Sequence, residues 1–396
     1  MTKNVYLDFA ATTFTHPQVL EAMLPYFTES FGNPSSIYSF SDRNRAAIQK
    51  AREQAAAVLN CAPAEIFFTS SGTEADNWAL QGVAWSHENK GRRIITTKIE
   101  HHAVLHTGQF LAERGFDVVY LDVDAEGKIS LDQLKKAMTK ETILVSVMFA
   151  NNEIGTIQPI AEIGELCRER GVIFHTDAVQ AAAHVPIDVQ AMKIDMLSMS
   201  AHKFYGPKGV GVLYIRKGTK VGNFMHGGAQ EKGRRASTEN VAGIVGLGAA
   251  IERTASHMNE EGKRVAALRD RLIAGVMTRI PHAKLNGAPG SGRLPNNANF
   301  SLIGLEGETM LMDLNAAGIS ASTGSACSSG SLDPSHVLMA IGLSHELAHG
   351  SLRLTLGETT TQEDIDYVLD TLVKSVARRR EMSPLWEDYL AGLKKA

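Results

Sequence analysis

The sequence predicts an α/β protein with a large domain, built on a mostly parallel sheet flanked by helices, and a smaller α+β domain. Three observations support this. Helix-like and strand-like stretches alternate in the first half of the chain, several strand-like runs are apolar throughout, and the pattern changes after a long helical stretch at about 238–280. Strands alternating with helices indicate βαβ units. Continuous apolar runs are typical of strands buried on both faces.

Helices and strands are expected in strict alternation through the first half of the chain. Helical patterns cover 43–59, 74–85, 103–114, 131–138 and 160–170. Short apolar runs cover 66–69, 93–96, 118–121, 143–149 and 172–174. The polar residues that follow these strands should line the carboxyl edge of the sheet, where open α/β sheets bind ligands.

The second half has a different order of elements. The helical stretch at 238–280 is expected to break near 256–262. After it come a strand, a helix, a second strand and a final helix, predicted at 297–302, 308–317, 350–356 and 361–380. We therefore expect a large domain over 15–258 and a smaller α+β domain made of 1–14 and 259–396.

Composition excludes several classes of protein. The chain has 396 residues, 44% hydrophobic and 21% charged, which is ordinary for a globular protein. Its net charge of −3 gives no excess of basic residues, so we expect no nucleic-acid partner. No apolar run approaches the roughly 20 residues that cross a membrane, and the N-terminus has no secretion pattern. The three cysteines lack metal-type spacing. We expect a reduced, cytoplasmic protein without a permanent metal site.

Lys203 carries the strongest chemical signal. It follows the apolar run 195–200 and precedes a Gly-Pro turn, which places its amine at a sheet edge. Asp177 follows another apolar run, 171–176. An amine and a carboxylate at neighbouring strand ends suit pyridoxal 5'-phosphate (PLP), because the lysine forms a Schiff base and the carboxylate keeps the pyridine nitrogen protonated. The alternative for any single lysine is a solvated surface charge.

A phosphate site is expected where the segment 69–74 links a strand to a helix. Gly72 would let the backbone approach a ligand, and Thr73 offers an N–H and a hydroxyl at the positive N-terminus of the helix. The alternative is that this segment only caps the helix. Ser200 and His202, beside the lysine, add two further phosphate donors.

Three more polar positions follow strands and are candidates for cofactor or substrate contacts. His101 or His102 could lie over an aromatic ring; spacing does not separate them, and we prefer His101. The alternative is a structural histidine. An asparagine of the pair 151–152 could contact the cofactor or a substrate carboxylate. Gln180, three residues after Asp177, could reach the ring hydroxyl.

Arg353 and Cys327 are candidates for substrate binding and for nucleophilic attack. Arg353 lies in a strand-like run, where it needs either a substrate carboxylate or a structural ion pair. Cys327 lies in the Gly/Ser-rich stretch 322–331, whereas a structural cysteine would be surrounded by apolar side chains. A displayed cysteine suits a nucleophile that visits a substrate and then a partner. Cys61 and Cys167 are interpreted as packing residues.

Several motifs in this order resemble the NifS/IscS-type cysteine desulfurases, in the class V branch of the fold-type I PLP enzymes. They are Asn151-Asn-Glu-Ile-Gly-Thr156, His175-Thr-Asp-Ala-Val-Gln180, Ser200-Ala-His-Lys-Phe-Tyr-Gly-Pro-Lys-Gly209 and the Cys327 segment. The resemblance runs from Tyr6 to Gly357. The tail Met382-Ser-Pro-Leu-Trp386 and the segment 324–336 are more similar to the nitrogen-fixation type than to the housekeeping type.

The resemblance implies a role for each candidate. Lys203 is the Schiff-base lysine, Asp177 contacts the pyridine nitrogen and Gln180 the ring oxygen. His101 stacks on the ring and takes part in proton transfer. The phosphate would be held by Gly72, Thr73, Ser200 and His202. Asn152, near the cofactor, and Arg353 would hold the carboxylate of L-cysteine.

The resemblance also implies partners. Cys327 would attack the sulfur of the bound cysteine, leave alanine and become a persulfide. That sulfur would go to an iron–sulfur cluster scaffold, where Cys327 would touch the cluster metal transiently. Thr238 would contact the phosphate of the other subunit of a homodimer. Two residues depart from the family pattern: Phe9 replaces an Asn, and Ser237 replaces a Gly, which tolerates positive φ better. A selenocysteine lyase or a β-eliminating lyase of the same fold is the alternative function.

Overall fold

A computed structural model describes residues 3–324 and 333–393. Cys327 lies outside the described residues. The helices are α1 Pro17–Met23, α2 Pro25–Thr28, α3 Asp42–Leu59, α4 Gly72–His87, α5 His102–Ala112, α6 Leu131–Ala137, α7 Ile160–Arg170, α8 Gln230–Gly233, α9 Val241–Arg279, α10 Gly307–Ala316, α11 His336–Ala340, α12 His345–His349, α13 Gln362–Arg380 and α14 Pro384–Leu393. The strands are β1 Val5–Tyr6, β2 Ile66–Thr69, β3 Arg93–Thr97, β4 Asp117–Leu121, β5 Thr142–Ser146, β6 Ile173–Asp177, β7 Met196–Ser200, β8 Gly211–Ile215, β9 Ala283–Leu285, β10 Asn297–Leu302, β11 Ile319–Ser320 and β12 Ser351–Thr355.

The main sheet has the strand order β2-β8-β7-β6-β5-β3-β4 within the described residues. β8 runs antiparallel to its neighbours β2 and β7, and the remaining pairs are parallel. Because β6 and β7 are adjacent and parallel, their carboxyl ends meet at one edge of the sheet. Asp177 pairs in register with Ser198 there, and Lys203 follows β7 by three residues. The predicted mostly parallel α/β sheet is confirmed.

Hydrophobic clusters cover both faces of this sheet. One contains Trp78 of α4 and Leu111 of α5, packed against strand residues such as Ile94. The other contains Leu59 of α3 and Leu247 of α9. Burial on both faces explains why these strands are apolar throughout their length.

A second, separate core forms around smaller sheets. β12, β10 and β9 make an antiparallel sheet, and β1 pairs in parallel with β11. Val5 and Leu7 of the N-terminal segment lie in the same core as Leu272, Phe300 and Leu354. Antiparallel strands combined with α10 and α13 give this part an α+β arrangement.

The expected break near 256–262 is wrong, because α9 runs uninterrupted from Val241 to Arg279. Its buried stripe continues on both sides, through Ile251 and Val265. Gly262 meets open space, and a single glycine in an exposed helix costs only about 1 kcal/mol. Among the described helices, none is both long and apolar enough to cross a membrane.

Candidate active site

A cavity of about 830 Å³, partly open to solvent, lies at the carboxyl edge of the main sheet. Its wall contains ten residues predicted from the sequence: Gly72, Thr73, His101, Asn152, Asp177, Gln180, Ser200, His202, Lys203 and Arg353. The wall contains seven further residues that were not predicted to contact a ligand, among them Ala10, Ala11 and Asp76. A buried acid in an otherwise apolar helix pattern was the available signal for Asp76.

Lys203 and Asp177 occupy the positions that the strand ends predict. The Lys203 Nζ donates to the carbonyl oxygens of Ala10, at 2.5 Å, and Ala11, at 2.8 Å. One oxygen of Asp177 accepts from the Val179 N–H at 2.9 Å. Burial raises the pKa of Asp177 to about 6, while the Val179 N–H and Lys203 oppose that rise. The carboxylate is therefore the form favoured above about pH 6.

The structure separates the two adjacent histidines. His101 lines the cavity, whereas His102 contacts His106 and His336 outside it. The His101 Nδ1 accepts from the Ala103 N–H at 3.1 Å, which caps α5 and leaves the proton on Nε2. Burial, and next the charge of Lys203, lower the pKa of His101 to about 4. His101 is thus a neutral imidazole with an N–H at Nε2.

The start of α4, where the sequence predicts a phosphate site, lines the cavity through Gly72 and Thr73. A Cβ added to Gly72 would lie 2.6 Å from Val179 Cγ2, so only glycine allows this close approach. The Ser71 hydroxyl accepts from the Glu74 N–H at 3.1 Å, so the capping alternative is also present. The cap uses Ser71 and leaves Thr73 in the cavity wall, so the capping role does not preclude the predicted phosphate site.

His202 and Gln180 are held by the N-terminal segment. The Nδ1 of His202 lies 3.0 Å from the Thr12 hydroxyl, and burial lowers its pKa to about 4. The Gln180 Nε2 donates to the Ala10 carbonyl at 2.9 Å. Ala10 therefore contacts both Gln180 and the Lys203 amine, which the sequence could not indicate because the contacts use backbone atoms.

Asn152 and Arg353 are in contact with each other and line the cavity. Asn151 is structural: its Oδ1 accepts from the N–H groups of Glu153 and Ile154. Asn152 faces the cavity, and its carbonyl accepts from Arg353 Nη1 at 3.1 Å.

The Arg353 guanidinium is almost fully buried, and one of its hydrogen-bond donors has no partner among the described residues. Its Nη2 donates to Asp8 at 2.8 Å, so the structural ion pair that the sequence left open is present. Its Nε has no hydrogen-bond partner among the described residues. Because Arg353 also lines the cavity, it can still take an additional anionic partner.

These residues fit PLP. An amine, a buried carboxylate, a neutral imidazole and hydroxyl donors at the N-terminus of a 16-residue helix surround one cavity. Gly72, where an added Cβ would meet Val179, lies at the start of that helix. The donor set therefore matches the aldehyde, the ring nitrogen and the phosphate of that cofactor.

Two cysteines outside the cavity behave as packing residues. Cys167 is buried in the main core and Cys61 is partly buried. Burial raises the pKa of the Cys61 thiol to about 12, and it also raises the pKa of the Cys167 thiol. Neither is poised as a thiolate. Within 3–324 and 333–393, no three His, Cys, Asp or Glu side chains are grouped closely enough to hold a metal ion.

Thr238 lies outside the cavity, in a separate depression with Ser70 and Arg235. Both Thr238 and its neighbour Ser237 are exposed. Ser237 has φ 113°, a conformation that favours glycine. The departure noted at this position is therefore a real backbone strain in this chain.

Comparison with known proteins defines the class. The family profile described as "Aminotransferase class-V" matches residues 5–368. The chain belongs to the class-V aminotransferase family.

Relatives and solved structures narrow the class further. "Cysteine desulfurase IscS" from Clostridium botulinum (strain Hall / ATCC 3502 / NCTC 13319 / Type A) is 65% identical over 391 residues, 98% of each chain. The protein of the same name from Methanosarcina thermophila is 56% identical, covering 97% of this chain and 94% of its own. A structure titled "NIFS-LIKE PROTEIN" superposes with a TM-score of 0.89 at 39% identity, over 95% of this chain and 100% of that one. Another, "SspA in complex with cysteine", has a TM-score of 0.79 at 38% identity, over 89% and 99%. Within its family the chain is similar throughout to the PLP-dependent cysteine desulfurases of the NifS/IscS type.

Proposed function

We propose that this protein is a PLP-dependent cysteine desulfurase that converts L-cysteine to L-alanine, forms a persulfide on Cys327 and supplies sulfur for iron–sulfur cluster assembly. The observation that carries the proposal is the single cavity that gathers Lys203, Asp177, His101 and Arg353. Full-length identity to proteins named cysteine desulfurase supports the reaction class.

The chain's own residues have distinct tasks in this reaction. Arg353 and Asn152 hold the carboxylate of cysteine, and the unpartnered Nε of Arg353 supplies a donor for it. Lys203 would hold the cofactor through its aldehyde carbon, and the free Lys203 amine would move protons at the substrate Cα. PLP, when bound, supplies the electron sink that makes that Cα proton acidic. Asp177, as a carboxylate, keeps the ring nitrogen protonated.

His101 and Cys327 act on the leaving sulfur. His101 is a neutral imidazole, so it can accept a proton from a substrate thiol or return one. The Cys327 thiolate attacks the substrate sulfur, so that an S–S bond forms as the Cβ–S bond breaks. The electron pair of the broken bond stays on the substrate carbon, and protonation there gives alanine and leaves a persulfide on Cys327. Cys327 lies outside the described residues, so its role rests on the family resemblance and on its Gly/Ser-rich context.

The test is a spectrum and a product assay on the purified holoenzyme. Absorbance is recorded before and after L-cysteine and a reductant are added, and alanine and sulfide are measured. We expect Cys327→Ala to keep the cofactor absorbance and lose sulfide production, while the matched control Cys61→Ala keeps both. Normal sulfide release from Cys327→Ala would refute the assignment. Pyruvate in place of alanine would point to a β-eliminating lyase.

We further propose a homodimer in which Thr238 reaches the phosphate of the partner's cofactor. Two observations support it. Thr238 is exposed and lies outside its own cavity. Large apolar side chains are exposed along one stretch of the N-terminal region: Phe14, Leu20, Leu24, Phe27, Phe31, Ile37, Tyr38 and Phe40. Such a patch on a soluble protein marks an interaction surface.

Sedimentation velocity of the holoenzyme tests the dimer. We expect a dimer, and a charged substitution such as Phe31→Asp should shift it toward monomer. We expect Thr238→Ala to weaken cofactor retention without changing the oligomeric state. A wild-type monomer that retains the cofactor fully would contradict both statements.

The sulfur acceptor, the subtype, the cell compartment and the domain division are further proposals. We propose an iron–sulfur scaffold as acceptor, with Cys327 touching cluster metal transiently; capture of a scaffold that does not depend on Cys327 would contradict that contact.

The tail 382–386 supports a nitrogen-fixation subtype, testable by complementing strains that lack each type of desulfurase. We propose a cytoplasmic location, testable by cell fractionation. Two separate cores support domains at 15–258 and at 1–14 with 259–396.

A further inference from the structure

A buried acid that the proposed reaction does not use lies beside Asp177. Asp76 is on α4, one turn after Thr73, and lines the same cavity. It is 1% exposed, and its Oδ1 has no hydrogen-bond partner among the described residues. A buried carboxyl group with an oxygen that makes no hydrogen bond is costly, so such a group needs a physical explanation.

The histidine next to Asp76 does not supply a counter-charge. The Nε2 of His175 lies 3.7 Å from Asp76 Oδ1. The same nitrogen is 3.0 Å from the Ser198 hydroxyl, and Nδ1 is 2.9 Å from the Ser146 hydroxyl. Burial lowers the pKa of His175 to about 3. His175 is therefore neutral, and it fixes Ser198 beside Asp76 rather than neutralising a charge there.

Two other buried carboxyl groups, Asp177 and Glu100, interact electrostatically with Asp76. Asp177 raises the pKa of Asp76 by its charge, second only to burial, and Glu100 raises it further; Ser198 opposes these effects. Lys203 is the cation whose charge favours ionised Asp177. Because like charges in a desolvated site cannot all ionise, the cluster must keep protons on some members.

The surroundings decide which member of the pair stays charged. Asp177 accepts the Val179 N–H and feels the Lys203 charge, and both stabilise its ionised form. Within 3–324 and 333–393, Asp76 Oδ1 accepts no hydrogen bond from a backbone N–H or from a lysine. Asp76 also lies close to Gly72 and Thr73, where the cofactor phosphate would bind, and a negative charge there would repel that dianion.

We propose that Asp76 is a positioning residue that keeps its proton in the working enzyme, so that Asp177 alone carries the negative charge at the ring nitrogen. This inference rests on the proposed cofactor site. A neutral Asp76 also leaves the start of α4 free to bind the phosphate. Glu100, which does not line the cavity, provides the comparison for a buried carboxyl group outside this role.

Infrared difference spectroscopy of the holoenzyme tests the protonation state directly. Protein labelled with ¹³C at the aspartate carboxyl is compared with unlabelled protein at about pH 7.5, within the range of about pH 5 to 8 where most proteins are most stable. We expect a protonated-carboxyl C=O band that shifts with the label and is missing in Asp76→Asn, but is retained in Glu100→Gln. Absence of a labelled protonated band in the wild-type enzyme would overturn the proposal, and this measurement needs no variant.

Cofactor binding gives the second readout. Apoenzyme is titrated with PLP at several pH values, and the dissociation constant is read from the visible absorbance. We expect wild-type affinity to fall by up to tenfold per pH unit once Asp76 ionises. Asp76→Asn should bind with an affinity that varies less than about threefold over the same range. Asp177→Asn should bind weakly throughout.

A folded Asp76→Asn protein that loses PLP as severely as Asp177→Asn would show that the charge on Asp76 is needed, and would overturn the inference. This failure is distinct from failure of the proposed function. If the wild-type enzyme forms alanine from cysteine but lacks the labelled band, only the role of Asp76 is wrong. If it never binds PLP, the cofactor site itself is wrong and the inference fails with it.

Discussion

Replacing Glu100 by glutamine should remove a pH-dependent penalty on stability. Glu100 is fully buried: its Oε1 accepts from the Thr97 hydroxyl at 2.8 Å and from the Met148 N–H at 2.9 Å, and its Oε2 has no partner among the described residues. Burial raises its pKa from the ordinary 4.5 to about 8. A glutamine amide oxygen can accept both hydrogen bonds, so the substitution removes mainly the cost of ionisation.

The sign and size of the effect follow from proton linkage. Between pH 4.5 and about pH 8 the folded state binds this proton and the unfolded state does not, so wild-type stability falls as the pH rises. Each pH unit in that window costs about 1.4 kcal/mol. Relative to that of wild type, the free energy of unfolding of Glu100→Gln should therefore rise by about 3 kcal/mol between pH 4.5 and pH 7. Below pH 4.5 the difference between the two should be constant, because burial of the glutamine NH2 does not depend on pH.

Urea unfolding of the holoenzyme at a series of pH values measures this difference. The exposed Glu162 on α7 provides the control, since Glu162→Gln should leave the pH profile unchanged. Parallel pH profiles for wild type and Glu100→Gln would refute the reasoning, because they would show that Glu100 ionises in the folded protein as readily as in water.

Three further substitutions test the backbone strain at Ser237, the close packing of Gly72 against Val179 and the role of the Arg353 guanidinium. Ser237→Gly should raise the free energy of unfolding by about 1 kcal/mol, because φ 113° strains serine; an unchanged urea midpoint would contradict this. Gly72→Ala should weaken PLP binding by roughly tenfold, since its Cβ would lie 2.6 Å from Val179 Cγ2; absorbance titration measures it, and an unchanged affinity would argue against this phosphate site. Arg353→Lys should lower kcat/KM for cysteine by roughly 100-fold, because the planar fork that also binds Asp8 is lost; unchanged steady-state kinetics would exclude Arg353 as the carboxylate contact.

Local pattern predicted the strands and the residues at their ends well. β6 and β7 end where the apolar runs end, so Asp177 and the residues before Lys203 came to one edge of the sheet as expected. Apolar runs work as predictors here because both faces of the sheet are buried.

Local sequence patterns could not predict the contacts between residues that lie far apart in the chain. The partner of Arg353, Asp8, is 345 residues away, and the carbonyl of Ala10 that holds Lys203 is a backbone group. His101 and His102 have the same local context, so only the fold distinguishes the one in the cavity. Asp76 was missed because periodicity reports burial but not the chemistry of a buried acid.

The continuity of α9 limits how the chain can be divided. At 39 residues the helix is about 58 Å long, and it contributes Leu247 to one core and Leu272 to the other. The proposed boundary at 258/259 falls within it. A cut there would divide the buried apolar stripe of α9, so each fragment would lose part of the helix that packs against its core. Neither fragment should therefore fold when it is expressed alone. Circular permutants and split reporters of this enzyme should therefore be opened in loops of the exposed surface, never at the division between its two cores.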